Sequence, residues 1–330
     1  MDFTKVEDIF IQEYSRIYSR IPYGPDHSNL VEYVRNQFSS VRSWETSQTD
    51  INYASVTITK PAKTDPSKTI DHTSFAALQW DKSRGSDAFA NLVHKTLSRD
   101  AVVEAIKIPW DAAAHLPIFS RYGFQPHYIN LGCSVDKALS ILPNLIEKAN
   151  ICFQDFNICS LTVEEEVDQI ADIWLDEFGK NPQHCWYGKY PKALALLKTE
   201  WNQCLNPKPG SVPRLVFVIK KQGTVLGYFE GAVDKHCPRQ AGVALVFSPV
   251  LQGKSIALLA YFHLLKHLKS IGVKAFLGTT ANPKIIGLRK TLGSVPTEIL
   301  LRKEDCYYPV EHFTKPFWRE PQNVNMNREI

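Results

Sequence analysis

The stretch Ser248-Pro-Val-Leu-Gln-Gly-Lys-Ser-Ile-Ala257 decides the fold of this 330-residue chain. An alternating apolar segment over 240–247 runs into it as a strand, and the apolar spacing from 255 to about 269 predicts a helix packed on a core. A strand-to-helix turn of small residues leaves backbone N–H groups pointing outward at the positive end of the helix dipole. The turn is therefore predicted to hold a phosphate or pyrophosphate.

A tight turn also needs small residues for steric reasons alone, so the loop by itself leaves ligand binding and plain turn geometry both open. The residues that follow the loop favour ligand binding. They predict a strand over 273–279 and a helix over 282–292, with Gly293 as its C-cap.

This order of loop, helix, strand, helix and glycine resembles the acyl-CoA-binding segment of GNAT-type N-acetyltransferases. That family has Gln or Arg, two residues, Gly, one residue, and then Gly or Ala, and here Ser255 stands at the first required Gly. Asn282 and Gly293 have the family's spacing on the next helix. The resemblance implies that acetyl-CoA is the co-substrate.

The resemblance also assigns the cofactor-binding residues. The backbone of Phe247 would bind the pantetheine arm, and its ring is equally compatible with a core position. Asn282 would make a polar contact near the pantetheine. The pyrophosphate contacts would come from six consecutive residues: Gln252, Gly253, Lys254, Ser255, Ile256 and Ala257.

An earlier part of the chain repeats the same order of elements. Patterns typical of a strand over 71–80, a helix over 86–97, a strand over 101–109 and a helix over 111–121 end at Gly123. An offset of about 170 residues between the copies indicates two similar domains. We therefore predict an α/β (α+β) protein of two tandem GNAT-like domains, each a mixed central sheet flanked by helices. The degenerate domain covers 1–150, and the acyl-CoA-binding domain covers 151–330 and includes a C-terminal tail.

The two copies differ at the loop. The earlier copy places Asp87 where the family has Gly and Phe89 where it has Gly or Ala. A carboxylate would repel a pyrophosphate, and a large ring would block its approach to the backbone. We expect the first domain to have lost the cofactor site. The alternative is that both domains bind CoA, the first through a shifted loop of Arg84, Gly85 and Ser86.

Composition bounds the remaining classes of function. A formal net charge of +4, 44% hydrophobic and 22% charged residues are typical of a folded soluble protein and give no basic stripe for nucleic acid. Seven scattered cysteines without a Cys-x-x-Cys pair predict free thiols and no metal site. No segment reads as a signal peptide or a membrane span, so we expect a cytoplasmic protein. The oligomeric state stays open.

Catalysis is where the sequence departs from the family. The tyrosine that often protonates the leaving thiolate would fall at position 289, and this chain has Arg289. An arginine stays protonated, so it can stabilise the thiolate only by charge. The alternatives are an exposed helical Arg289 that contacts phosphate or solvent, with the acid role passing to Tyr228 or to the Tyr307–Tyr308 pair.

Glu230 is the candidate general base. Alternation along one strand places it on the same face as Tyr228 and Asp234. The alternative is a cross-strand ion pair. The acidic run over 164–166 is assigned to structure, because Thr162 and Glu165 have the spacing of a capping box.

The sequence thus indicates an N-acetyltransferase that moves an acetyl group directly from acetyl-CoA to the primary amine of a small molecule. The alternative is a non-catalytic CoA-binding or partner-binding module. The acceptor cannot be named, although the aromatic residues at 307–308 and 317–318 are candidates for a pocket wall.

Overall fold

The computed structural model describes residues 3–21, 27–47, 52–61, 69–80, 87–98, 103–151, 156–180, 191–235 and 237–303. In this part of the chain eleven strands form one mixed sheet, and helices cover both of its faces. The predicted α/β class is confirmed. The loop over 84–86 and the aromatic tail lie outside the described residues.

The amino-terminal half starts with two helices whose apolar residues recur on one side, so that Val6, Phe10 and Ile17 of the first are buried together. It ends with the helix that leads into the second half. Its elements are α1 (Phe3–Ser19), α2 (His27–Gln37), β1 (Val41–Thr46), β2 (Tyr53–Pro61), β3 (Thr69–Ala77), α3 (Asp87–Leu97), β4 (Val103–Pro109), a 3₁₀ turn (Trp110–His115), α4 (Leu116–Ser120), β5 (Phe124–Ser134) and α5 (Val135–Lys148).

After one additional strand, the carboxy-terminal half repeats the order from α1 to β5. Its elements are β6 (Asn157–Ser160), α6 (Glu164–Lys180), α7 (Pro191–Leu205), β7 (Arg214–Lys221), β8 (Thr224–Val233), β9 (Gln240–Phe247), α8 (Ile256–Ser270), β10 (Ala275–Thr280), α9 (Pro283–Thr291) and β11 (Val295–Lys303). The run β9–α8–β10–α9–β11 matches β3–α3–β4–α4–β5. Gly123 and Gly293 follow α4 and α9 with φ of +78° and +84°, a conformation that favours glycine, so the matched helix ends are confirmed.

The two halves exchange their last strands. The strand order is β1-β2-β3-β4-β11-β5-β10-β9-β8-β7-β6. β11 of the second half therefore lies between β4 and β5 of the first, antiparallel to both, and β5 separates β11 from β10. Each half completes the sheet of the other, so neither half has its full set of strand partners alone.

Alternation along the strands assigns the helices to two faces. Val216 and Tyr228 pack under α6 and α7, whereas their neighbours Phe217 and Phe229 pack under α8. On β5, a side chain at Gly132 would meet Ile21 next to α1, whereas Leu131 packs with α9. The helices α1, α2, α6 and α7 thus cover one face, named here the α1/α6 face. The helices α3, α8 and α9 cover the other, named the α3/α8 face.

Two details of the fold differ from the sequence analysis. The strand β11 was not predicted. The repeat indicates it, since β11 follows Gly293 as β5 follows Gly123. The capping interaction of α6 comes from Glu166, whose carboxylate accepts the N–H of Thr162 at 2.9 Å, and not from Glu165. Glu166 is also buried and paired with Lys220 on β7, which holds it at this helix end. The structural assignment of the acidic run is confirmed for Glu166.

Strand exchange predicts that a core substitution in β11 destabilises both halves together. Ile299 is fully buried in the core of the amino-terminal half, beside Ile106 and Phe124. We expect Ile299→Ala to lower the free energy of unfolding by about 3 kcal/mol, through lost burial and a cavity. Thermal unfolding followed by tryptophan fluorescence should still show one transition. Ile271→Ala, at a residue 46% exposed, is the matched control and should change stability by less than about 0.5 kcal/mol. Separate transitions for the halves would contradict the coupling.

Candidate functional site

A cleft opens in the sheet where β9 and β10 separate. The two strands are parallel and paired only from Gln240–Ala275 to Gly242–Leu277. Beyond that point β9 stays paired with β8 as far as Phe247, while β10 stays paired with β5 as far as Thr280. The edges of β9 and β10 that face each other therefore leave the ladder, and their backbone groups line the cleft between the two strands.

The loop over 248–255 leads from the end of β9 to the start of α8. Gly253 has φ of +75°, and nothing lies within 4 Å of the position of an added Cβ. Ser255, the N-cap of α8, has φ of +56° and ψ of 14°, the left-handed conformation. This geometry explains why the family's pattern asks for glycine where this chain has Ser255. Residues 252–255 are exposed immediately before α8, and the first N–H groups of a helix lack partners within the helix, as a pyrophosphate site requires.

The conformation of Ser255 gives a test of the loop geometry. We expect Ser255→Val to lower the free energy of unfolding by about 1–2 kcal/mol, because a β-branched residue is strained at positive φ. Ser255→Gly should be neutral or slightly stabilising. Ser270→Val, at the helical end of α8, is the matched control and should change stability by only a few tenths of a kcal/mol. Chemical denaturation measures all three, and equal effects of valine at both serines would contradict the left-handed loop.

The other predicted cofactor residues surround this loop. Gln252 donates to the carbonyl oxygen of Phe247 at 3.3 Å and to the Glu177 carboxylate at 2.7 Å. The Phe247 ring packs over Gly227 and is partly buried in the core. The Lys254 ammonium lies 5.7 Å from the centre of the Phe156 ring and leaves a positive charge at the loop. The Glu177 carboxylate disfavours an anion at this loop. The backbone N–H groups, the Lys254 ammonium and the open space at Gly253 favour an anion.

Asn282 lies at the far side of the cleft, where it begins α9. Its Oδ1 accepts the N–H of Lys284 at 3.0 Å, so the side chain caps the helix. The residue is exposed, and its Nδ2 remains available for a ligand.

Arg289 is buried, so the alternative of an exposed helical arginine is wrong. Its guanidinium donates to the carbonyl oxygen of Leu131 at 2.7 Å and to the Ser294 hydroxyl at 2.9 Å, and it stacks 4.4 Å from the Phe276 ring centre. Its Nη1 lies 3.0 Å from the Cβ position of Gly278, beside the Val243 carbonyl, where β9 and β10 separate. The hydrogen-bond acceptors of Arg289 are thus neutral groups, and no salt bridge to it is present among the described residues.

Glu230 lies on the opposite face of the sheet from Arg289. It is 14% exposed on the α1/α6 face, opposite Ala244 on the separated part of β9. Arg214 binds both of its oxygens, each at 3.1 Å, and also binds Glu200 at 2.8 Å. Burial raises the pKa of Glu230, and the Arg214 guanidinium opposes this rise. The cross-strand ion pair that the sequence left open is therefore present.

The neighbours of Glu230 on its strand are placed by other contacts. Tyr228 is buried against Trp201, 5.4 Å between ring centres, and burial raises its pKa well above the usual range. Asp234 accepts the N–H of Cys237 at 3.0 Å and so stabilises the turn between β8 and β9.

The equivalent place in the amino-terminal half is filled by α1. The β3–β4 ladder ends at Ser74–Lys107, and the last residue of β3 is Ala77, as Phe247 is of β9. The buried Glu13 carboxylate accepts the Ala77 N–H at 3.0 Å, the indole N–H of Trp80 at 2.7 Å and a hydrogen bond from Arg16. An extended ligand would need the strand edge that Glu13 occupies.

The Phe89 ring is fully buried and packs on Tyr53, Phe75 and Trp80, so it belongs to the core. The loop that Phe89 was expected to block lies outside the described residues. The edge of β3 is occupied by Glu13. The sequence did not predict this contact, because Glu13 lies 64 residues before its partner Ala77. Asp87 is exposed in the first turn of α3.

Comparisons with known proteins give similar solved structures and no sequence match. No protein-family model matches the chain, and no curated protein matches it in sequence. A GCN5-related N-acetyltransferase from Sphaerobacter thermophilus is 10% identical, with 91% of each chain covered and a TM-score of 0.51. A tandem GNAT protein from the clavulanic acid biosynthesis pathway is 12% identical, with 90% of this chain and 94% of that chain covered and a TM-score of 0.46.

Among the residues that the structure describes, no three His, Cys, Asp or Glu side chains are grouped as metal ligands. No helix in the described ranges has the length and apolarity needed to cross a membrane. The repeated order of elements and the similar Sphaerobacter thermophilus structure show that this chain has a GNAT-like α/β fold.

Proposed function

We propose that the carboxy-terminal half binds acetyl-CoA in the cleft between β9 and β10 and transfers the acetyl group to the primary amine of a small molecule. One observation carries the proposal: separated strands and a left-handed loop at a helix N-terminus meet at the same end of β9. The strands offer backbone groups to the pantetheine, and the loop offers N–H groups to the pyrophosphate. The N-acetyltransferase named for the similar Sphaerobacter thermophilus structure supports the same chemistry.

The proposed reaction is direct transfer. The neutral amine nitrogen attacks the thioester carbonyl carbon, the carbon–sulfur bond breaks, sulfur leaves as a thiolate, and the amine proton passes to a base. We assign the base to Glu230 and charge stabilisation of the thiolate to Arg289. Their positions on opposite faces of the sheet allow the amine to approach from the α1/α6 face while sulfur leaves toward Arg289.

The proposal limits CoA to one site per chain. Glu13 occupies the free edge of β3, and Asp87 places a carboxylate at the start of α3. Both features oppose an anionic, extended ligand in the amino-terminal half.

Titration calorimetry with CoA tests the binding step. We expect one site per chain, retained in Ser255→Gly and weakened more than about tenfold in Ser255→Glu, because a carboxylate in the loop repels the pyrophosphate. Two equivalent sites, or full affinity in Ser255→Glu, would contradict the proposal. Release of free thiol from acetyl-CoA with a panel of primary amines then tests transfer. Binding without thiol release would leave a CoA-binding module.

A further inference from the structure

A row of polar side chains crosses four strands on the α1/α6 face. The Lys107 ammonium of β4 lies 2.6 Å from Oε1 of Glu298 on β11, and Nδ2 of Asn130 on β5 lies 3.2 Å from Oε2 of the same carboxylate. Asn130 is in register with Glu298 on one side and with Thr279 of β10 on the other. The row therefore runs from the amino-terminal half to the edge of the cleft.

Thr279 lies on the part of β10 that has separated from β9. A side chain at its neighbour Gly278 would face Arg289 on the α3/α8 face, so alternation turns Thr279 to the α1/α6 face. Thr279 is exposed, and Asn130 is half-buried next to it. Directly opposed side chains of this kind have Cβ atoms about 5 Å apart. The two residues thus form one polar wall of the cleft, across from Glu230 on β8.

The contacts of Glu298 fix the direction of the Asn130 amide. The Lys107 ammonium lies 2.6 Å from one oxygen of Glu298, and burial, which lowers the pKa of Lys107, is outweighed by the nearby Glu298, which raises it well above the usual range. The second oxygen of Glu298 accepts a hydrogen bond from Asn130, so Asn130 offers it Nδ2. The amide oxygen of Asn130 is then directed away from Glu298, and it can only accept.

We propose that Asn130 Oδ1 and Thr279 Oγ1 bind the acceptor amine, so that strand exchange supplies the acetyl-transfer site with a residue of the amino-terminal half. This inference rests on the proposed acetyl-CoA site. An oriented amide oxygen accepts an N–H of the amine, and because Lys107 neutralises Glu298, the wall attracts a neutral amine without favouring its protonated form. The neutral amine is the form that attacks a thioester.

A bisubstrate analogue tests the inference separately from CoA binding. The probe is CoA whose sulfur carries CH₂–CO–NH–propyl, which places one N–H donor at the position of the acceptor nitrogen. We expect calorimetry to show that the analogue binds more tightly than CoA. Asn130→Ala should lower the affinity for the analogue about tenfold and leave the affinity for CoA unchanged. Thr279→Val, at an exposed residue that tolerates substitution, should lower the affinity for the analogue by less.

Gln125→Ala is the matched control, because Gln125 lies on β5 beyond the ladder with β10. It should leave both affinities unchanged. If both Asn130→Ala and Thr279→Val still bind CoA and bind the analogue as tightly as the unmodified chain does, the inference is overturned and the proposed function remains intact. Failure of the unmodified chain to bind CoA would overturn both.

Discussion

Arg289→Ala is expected to lower the rate of acetyl transfer at saturating acetyl-CoA by about a hundredfold, the usual cost of losing one electrostatic partner of a developing anion. Arg289 has its Nη1 at the point where β9 and β10 separate, and its hydrogen-bond acceptors are neutral, so we expect its charge to act on the leaving sulfur. Arg289→Lys should recover part of the rate, because a point charge partly replaces the guanidinium. Steady-state kinetics with thiol detection measures both.

The same substitution has a structural cost that must be separated from catalysis. Loss of the guanidinium leaves the Leu131 carbonyl and the Ser294 hydroxyl without their donor and opens a cavity beside Phe276, so we expect a loss of about 2–4 kcal/mol. CoA calorimetry on Arg289→Lys shows whether the cleft is intact. Lys290→Ala, at the exposed next residue, is the matched control. A raised Michaelis constant for acetyl-CoA with an unchanged saturated rate would mean that Arg289 binds the cofactor and does not stabilise the thiolate.

Glu230→Gln is expected to lower turnover by more than about tenfold while CoA affinity stays unchanged, if the carboxylate removes the amine proton. Burial raises the pKa of Glu230, with Arg214 opposing it, so the ionised base forms only above the ordinary carboxyl range. The acid limb of the pH profile of kcat/KM should therefore lie above that range and disappear in Glu230→Gln. An unchanged profile would leave Glu230 with a structural role alone.

Arg214→Met separates the two roles of this network. It leaves the nearly buried Glu230 without its bidentate partner, and we expect a loss of about 3 kcal/mol at neutral pH. The sign with pH follows from the raised pKa: Glu230 contributes stability that is full below its unfolded pKa and is lost as pH rises through the folded pKa. The double variant with Glu230→Gln should regain most of the loss. Denaturation of the unmodified chain and of Arg214→Met at pH 5 and pH 8 measures how this loss of stability depends on pH.

The local elements could be predicted because their signals lie in short windows. The strand over Gln240–Phe247, the loop after it and the glycine that follows α9 are each specified by periodicity or backbone conformation within a few residues. The repeat extended this prediction to a second copy. Because a strand follows Gly123, the same repeat predicts a strand after Gly293, which is β11.

The parts that could not be predicted depend on contacts distant in the sequence. The burial of Arg289 follows from its hydrogen bond to Leu131, 158 residues away, and Asn130 meets Glu298 across 168 residues. Glu13 closes the edge of β3 from a helix at the start of the chain. Spacing within a helix or strand carries no information about such pairs, because they arise only when the two halves share a sheet.

The exchange of strands also sets an order of events during synthesis. The ribosome releases β4 and β5 long before β11, which ends at Lys303. Until β11 is synthesised, the edges of β4 and β5 that it pairs with have no partner strand. Unpaired edges invite pairing with other chains. We expect refolding of the full chain to be slow and concentration-sensitive until β11 docks, and a nascent-chain series should acquire protease resistance in one late step.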